Sequence, residues 1–194
     1  MNNKNSIVSE IFKNISFSQK EVDFINSKFK EITLKKGDIL LCPNVFVSNQ
    51  YFISKGCLRA FFVEKSGKEH TVQFAVKDWW ISDYTSFFTD EKSIMSIECI
   101  QDATIYEVSK SSMESLYTTI PRLETFFRKK LEKAFASFQK RILGYLSQSA
   151  MERYLLFITS YPNIEQSVKN YHIASYLGIT SESLSRIRKI LLNK

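Results

Sequence analysis

The sequence predicts an α+β chain: N-terminal helices, a β-sandwich or barrel, one long helix and a small all-α tail. Three observations carry this reading. Apolar residues recur at three- and four-residue spacing over residues 7–31 and again after Val108. Between those stretches, short runs rich in Ile, Val, Phe, Tyr and Thr are broken by turn residues. The composition, 44% hydrophobic and 24% charged, is that of a globular chain and leaves out disorder and fibrous repeats.

The first stretch places Ile7, Val8, Ile11, Phe12, Ile15, Val22, Ile25 and Phe29 at helical spacing, with Ser18 and Glu21 spaced as a capping box. The β region follows, punctuated at Lys36-Gly37-Asp38, Cys42-Pro43-Asn44, Ser54-Lys55-Gly56 and Lys65-Ser66-Gly67-Lys68. Its clearest hairpin pairs residues 56–64 with 69–76 around Ser66-Gly67. A second hairpin is expected between residues 94–100 and 104–108, joined at Gln101-Asp102-Ala103. Ser111 and Ser112 are candidate caps for a short helix through Thr118. Pro121 suits the first turn of a new helix over 121–146, a rod of roughly 39 Å. Its stripe of Leu123, Phe127, Leu131 and Phe138 either packs on the chain's own barrel or forms a dimer seam with a second copy. Three more helices are expected over 150–160, 169–177 and 181–192. The domain reading is a barrel with its N-terminal helices over 1–110, a short helix and the long helix over 111–147, and a helical domain over 148–194.

Several function classes drop out. No secretory signal opens the sequence, and no apolar run approaches the roughly 18 residues of a membrane span. The three cysteines, Cys42, Cys57 and Cys99, are scattered singletons, which fits a reducing cytoplasm and no disulfide scaffold. Two histidines are too few for a histidine-rich metal site. No GxSxG elbow, phosphate-cradling glycine loop or HExxH is present, so an enzyme is not expected. The net charge of +7 is compatible with a polyanionic partner.

The last two helices carry the sharpest signal. They meet at Gly178-Ile179-Thr180, with small Ala174 four residues before Gly178 and Leu184 ten residues after Ala174. Small residue, turn glycine and apolar plug at these spacings describe a helix-turn-helix. On the second helix Leu184, Ile187 and Leu191 share one face; Glu182, Ser185, Arg186 and Lys189 share the other. Arg donates twice to guanine, Glu accepts from cytosine, and Ser reaches bases or phosphate. Thr180 is a natural N-cap, leaving other N–H groups of the first turn for a phosphate. A plain surface ion pair between Glu182 and Arg186 also fits that spacing.

The layout resembles the Crp/Fnr family of bacterial transcription regulators. The resemblance is strongest in Lys36-Gly37-Asp38-Ile39-Leu40, in the run from Tyr51 through Gly56 to Arg59, and in the run from Ile173 to Arg188. It implies a cyclic-nucleotide-binding-type jelly roll, a dimerisation helix and a DNA-binding helix-turn-helix, with duplex DNA and a second copy as partners. A small-molecule effector is a further implied partner, and RNA polymerase another if the protein activates. The resemblance assigns DNA recognition to Ser181, Glu182, Ser185 and Arg186; Ser181 stands where many members carry Arg. It places the ligand cassette at Ser82, Asp83, Lys92 and Ser93. There Ser82 replaces a glycine, Asp83 a longer glutamate and Lys92 a bidentate arginine, which argues against tight cyclic AMP binding. No cofactor is expected. The chain ends two residues past the second helix, where members often carry a β-hairpin wing, so the wing's contacts are not expected either. The competing reading is a ligand-binding or protein-interaction module of the same fold that does not bind DNA.

Overall fold

A computed structural model of the chain describes residues 7–89, 91–162 and 164–193, in two compact units. The first holds the described residues up to Phe62 together with Gln73–Phe126. The second holds Val63–Val72 and the chain from Phe127 onward. Among the described residues no helix is long and apolar enough to cross a membrane.

The first unit opens with α1 (Ile7–Ile11) and α2 (Gln19–Lys28). The chain turns between them, with Asn14 at φ +70°. Ser18 and Glu21 form the expected capping box: the hydroxyl accepts the Glu21 N–H and the carboxylate accepts the Ser18 N–H. Helical spacing suggests helix through residue 31, yet α2 ends at Lys28 and Lys30–Leu34 is strand β1. Its pairing with a later strand outweighs the local pattern.

Strands β2 (Ile39–Leu41), β3 (Asn49–Val63), β4 (Glu69–Val76), β5 (Trp80–Ile81) and β6 (Ser96–Ser109) complete one antiparallel jelly-roll-like sheet. Its order is β1-β6-β3-β4, with β2 also on β6 and β5 also on β3. The β3–β4 hairpin matches expectation, and Gly67 supplies a positive φ in its turn. The second hairpin does not form. Residues 96–109 are one uninterrupted strand, and Ala103, expected in a turn, is buried opposite Leu34. Instead the β3–β6 register slips on both strands, with an extra residue on β3 at Ser54 and extra residues on β6 between Cys99 and Thr104. Gly56 sits there at φ +92°, so close to β6 that a Cβ would lie 2.4 Å from the Asp102 carbonyl oxygen. The polar triplet 101–103 is thus taken up as an extra residue within β6, opposite Gly56, and does not turn. Between the layers Ile53, Leu58, Ile81, Ile97, Cys99 and Ile105 are fully enclosed, and Leu34, Tyr51 and Phe87 pack beside them.

Two short helices flank β6. α3 (Tyr84–Phe87) precedes it and α4 (Lys110–Thr119) follows. The cap of α4 is Ser109, not Ser111 or Ser112: its hydroxyl accepts the Ser112 N–H. The helix begins two residues earlier than a Ser111 cap would set, because the strand runs directly into it.

Helix α5 (Arg122–Ser147) has close to its expected limits. Leu123 is 0% and Phe127 6% exposed within the single chain, so neither is available to a partner. Further along, Leu131, Phe135, Ile142 and Leu146 are exposed and Phe138 is half-buried.

Beyond α5 the second unit contains α6 (Ala150–Ser160), a single 3-10 turn at Ile164–Gln166, α7 (Asn170–Leu177) and α8 (Ser181–Leu192). Ser149 and Glu152 cap α6 reciprocally. Arg188 ties the unit together. It donates to Glu165 at 2.7 Å, to Asn170 at 2.6 Å and to the Tyr154 hydroxyl at 3.2 Å. The hairpin tip belongs to the same unit: Ser175 donates to the Glu69 carbonyl at 2.8 Å and accepts the Thr71 N–H at 2.9 Å.

Candidate functional site

The ligand cassette read from the sequence is present as a segment, but its polar groups face inward. Asp83 is 0% exposed and caps α3. One carboxylate oxygen accepts the Thr85 N–H at 3.0 Å and the Thr85 hydroxyl. The other accepts the Ser93 hydroxyl at 2.8 Å, the Ile94 N–H at 3.1 Å and the Met95 N–H at 3.3 Å. Burial raises the Asp83 pKa, but the bonds from Thr85, Ser93 and Ile94 outweigh it and hold the carboxyl below its usual range. Ser82 donates to the Asn49 carbonyl at 2.8 Å. Asp83 and Ser93 are therefore spent on joining α3 to the approach to β6, and Ser82 on the start of β3. The fourth, Lys92, is exposed, with its ammonium 5.8 Å from the Phe46 ring centre.

A cyclic nucleotide needs an acceptor for its ribose and a cation at its phosphate; here the carboxylate of Asp83 is already occupied by five donors and Lys92 is the exposed cation of the segment. The aromatic side chains around the segment pack on the fold: Trp80 on Phe52 and Phe29, Trp79 against the barrel interior, and Phe87 on Tyr84 and Phe88.

The α7–α8 corner has a different character. Gly178 ends α7 at φ +66°, and its N–H and that of Ile179 return to the Ala174 carbonyl. Ala174 and Leu184 are buried at 2% and 0% exposure, where a close helix crossing needs a small residue and a plug. Thr180 caps α8 by accepting the Ser183 N–H. Leu184 and Ile187 face inward, Leu191 is half-buried, and Glu182, Ser185, Arg186 and Lys189 are exposed; Ser181 is half-buried.

The Glu182–Arg186 ion pair does not form. The Glu182 carboxylate folds back onto its own backbone N–H and the Thr180 hydroxyl, which hold it below the usual carboxylate range. Arg186 makes no ion pair among the described residues, leaving its planar donor fork in water. Sequence reasoning missed Arg188, which shares the helix with Arg186 yet is committed to Glu165. Its side of the helix, between the apolar stripe and the polar face, was the available signal.

Cysteine chemistry is muted. Burial raises the thiol of Cys57 to about 12 and that of Cys99 to about 11, so both stay protonated and unreactive. Among the described residues no group of His, Cys, Asp and Glu could hold a metal ion.

Residues 31–119 match the cyclic nucleotide-binding domain family. No curated protein matches the chain in sequence. Among solved structures the chain is similar to FixK2 from Bradyrhizobium japonicum, at 17% identity and TM-score 0.73, covering 85% of each chain. It is similar to the c-di-GMP responsive global regulator CLP from Xanthomonas campestris, at 12% identity and TM-score 0.71, covering 91% of this chain and 92% of that one. A protein from Eubacterium rectale assigned as a transcriptional regulator of the Crp/Fnr family matches at 16% identity and TM-score 0.69, covering 91% and 85%. At such identities the likeness is one of fold. The chain is thus similar in fold to a Crp/Fnr transcription regulator, and its residues 31–119 match the cyclic nucleotide-binding domain family.

Proposed function

We propose that the chain is a homodimeric DNA-binding transcription regulator of the Crp/Fnr type that reads duplex DNA with α8. The observation that carries this reading is the face of α8 holding Glu182, Ser185, Arg186 and Lys189 in water, opposite the buried Leu184 and Ile187. A helix held by one apolar edge behind a tight turn is free to present its other edge to a major groove. An unpaired Arg186 is suited to the O6 and N7 of a guanine, and Lys189 to phosphate. Thr180 and Ser181 lie at the helix N-terminus, where N–H groups and the helix dipole favour a phosphate. The net charge of +7 adds a sequence-independent attraction to the duplex.

The dimer is built on α5 through Leu131, Phe135, Phe138, Ile142 and Leu146, whose four- and three-residue spacing is that of a coiled-coil seam. The cassette at residues 82–93 is degenerate as a cyclic-nucleotide site, because Asp83 and Ser93 satisfy one another and their neighbours. Any effector enters elsewhere; if the protein activates, RNA polymerase is its further partner. Selection of bound sequences from random duplex DNA tests the whole reading. The expected product is an inverted repeat with half-sites about one helical turn, roughly 34 Å, apart. No enrichment at low salt would leave the non-DNA-binding module as the function.

A further inference from the structure

We propose that Arg188 is the positioning residue of the reading helix: clamped behind α8, it sets the rotation of that helix and so the direction in which Arg186 meets a base. The inference rests on the reading of α8 as the DNA-recognition helix and adds the device that makes its recognition selective. Arg188 is half-buried, and all three nitrogens of its guanidinium are engaged by partners from three separate segments. Nε donates to the Tyr154 hydroxyl of α6 at 3.2 Å and to Glu165 Oε1 of the 3-10 turn at 3.1 Å. Nη2 donates to the same Glu165 oxygen at 2.7 Å, and Nη1 donates to Asn170 Oδ1, in the first residue of α7, at 2.6 Å. The Tyr154 hydroxyl in turn donates to that Glu165 oxygen. All four residues belong to the second unit.

Apolar burial alone does not fix a rotation. Leu184 and Ile187 are buried and decide which edge of α8 faces inward. Apolar contact is non-directional, however, and lets a helix roll or slide by small amounts. A planar guanidinium fork bonded to three segments is directional. At about 100° per residue, Arg188 stands roughly 200° from Arg186, so the clamp and the exposed Arg186 lie on nearly opposite sides of the helix axis. Fixing one therefore aims the other.

The magnitudes make this matter for base reading and not for phosphate binding. A roll of about 20° carries a side-chain tip about 6 Å from the axis through roughly 2 Å. A binding constellation holds its geometry only within about 0.5 Å. Bidentate contact with a guanine is lost by such a shift, whereas the attraction of a flexible lysine to phosphate survives it. With every nitrogen bonded inside the unit, Arg188 acts through Arg186 and not through its own charge.

The test uses the full chain and reads discrimination, the ratio of affinities for the selected operator and for a non-specific duplex, at several salt concentrations. Arg188→Gln and Glu165→Gln change the net charge in opposite directions, yet both break the clamp. Each should lower discrimination roughly tenfold, concentrated at the base pair that Arg186 reads, with non-specific affinity and salt slope nearly unchanged. The double variant should lose little more than either single one, because the two side chains form one contact. Asn170 is exposed, so Asn170→Ala folds whatever becomes of the other variants, and it should lower discrimination severalfold. The proposal is overturned if all three single variants discriminate as well as a discriminating wild type. Equal losses on operator and non-specific duplex, the mark of a merely structural role, also overturn it. So does a salt slope reduced by about one in Arg188→Gln, the mark of a direct phosphate contact. A wild type with no operator preference would instead remove the reading of α8 itself, and the role of Arg188 with it.

Discussion

Asp83 shows how a residue type suited to a ligand can be consumed by the fold. Its two oxygens gather five donors from Thr85, Ser93, Ile94 and Met95. Asp83→Ala would leave several of those donors buried and unmet, and should cost about 2–4 kcal/mol, read by urea unfolding. Because the folded carboxyl titrates below its usual value, its contribution is present in full above about pH 4–5 and fades as pH falls through the depressed pKa. The Asp83→Ala deficit should therefore shrink toward acid; a deficit that stays constant down to pH 2 would contradict the assignment. Arg186 is the opposite case. It is exposed and makes no ion pair among the described residues, so Arg186→Ala should change stability by no more than about 0.5 kcal/mol. On a selected operator it should cost roughly 1–3 kcal/mol and relax preference at one base per half-site. Lys189→Ala should weaken all sequences alike and reduce the salt slope by about one. Titrations on single-base variants separate the two: equal losses on every variant would make Arg186 a phosphate contact. The exposure of Arg186 was legible in helical spacing alone. The commitment of Asp83 was not, because three of its five donors, from Ser93, Ile94 and Met95, lie ten to twelve residues ahead, across a turn that no local pattern encodes.

Among the elements, α5 and β6 depart from their sequence readings for related reasons. The apolar stripe on α5 is continuous in the sequence, but the structure divides it, with Leu123 and Phe127 buried in the single chain and Leu131, Phe135, Ile142 and Leu146 exposed. Substitutions along it should therefore fail differently. Phe135→Asp, at 71% exposure, should leave the fold intact and shift light scattering from about twice 22.6 kDa to one chain's mass, because a carboxylate in an apolar seam is unpaired. Leu123→Ala should instead destabilise the chain by about 2–5 kcal/mol. A monomeric wild type at micromolar concentration would remove α5 as a seam. In β6 the residues Gln101, Asp102 and Ala103 have turn composition, yet the strand runs through. The Asp102 carboxylate accepts the Lys36 N–H at 2.9 Å and pairs with Lys35, while Ala103 fills the core. Gly56→Ala should be strongly destabilising, since its Cβ would meet β6 backbone at 2.4 Å and its φ is +92°. Thermal unfolding of that variant checks whether the bulge depends on this close approach.

For the whole molecule, the sequence by itself determined the order of elements. Amphipathic spacing marked the helices, and glycines at φ > 0 marked real turns at Gly67 and Gly178. It also determined the α7–α8 corner almost to the residue, because cap, turn glycine and apolar stripe are all encoded within some twenty positions. The duplex-binding prediction that follows from that corner is a steep fall of affinity with salt, to be measured against a scrambled site. What only the tertiary structure decided are the matters that depend on residues distant in sequence: which half of the α5 stripe is already covered, that residues 96–109 are one strand, that Arg188 belongs to Glu165 while Arg186 makes no ion pair among the described residues, and that Asp83 faces inward. Local propensity and periodicity are short-ranged, whereas burial and the saturation of buried polar groups are settled by which segments meet. A sequence read along its length therefore yields the elements and their faces, and the assignment of each polar group to the fold or to a ligand waits on the contacts between them.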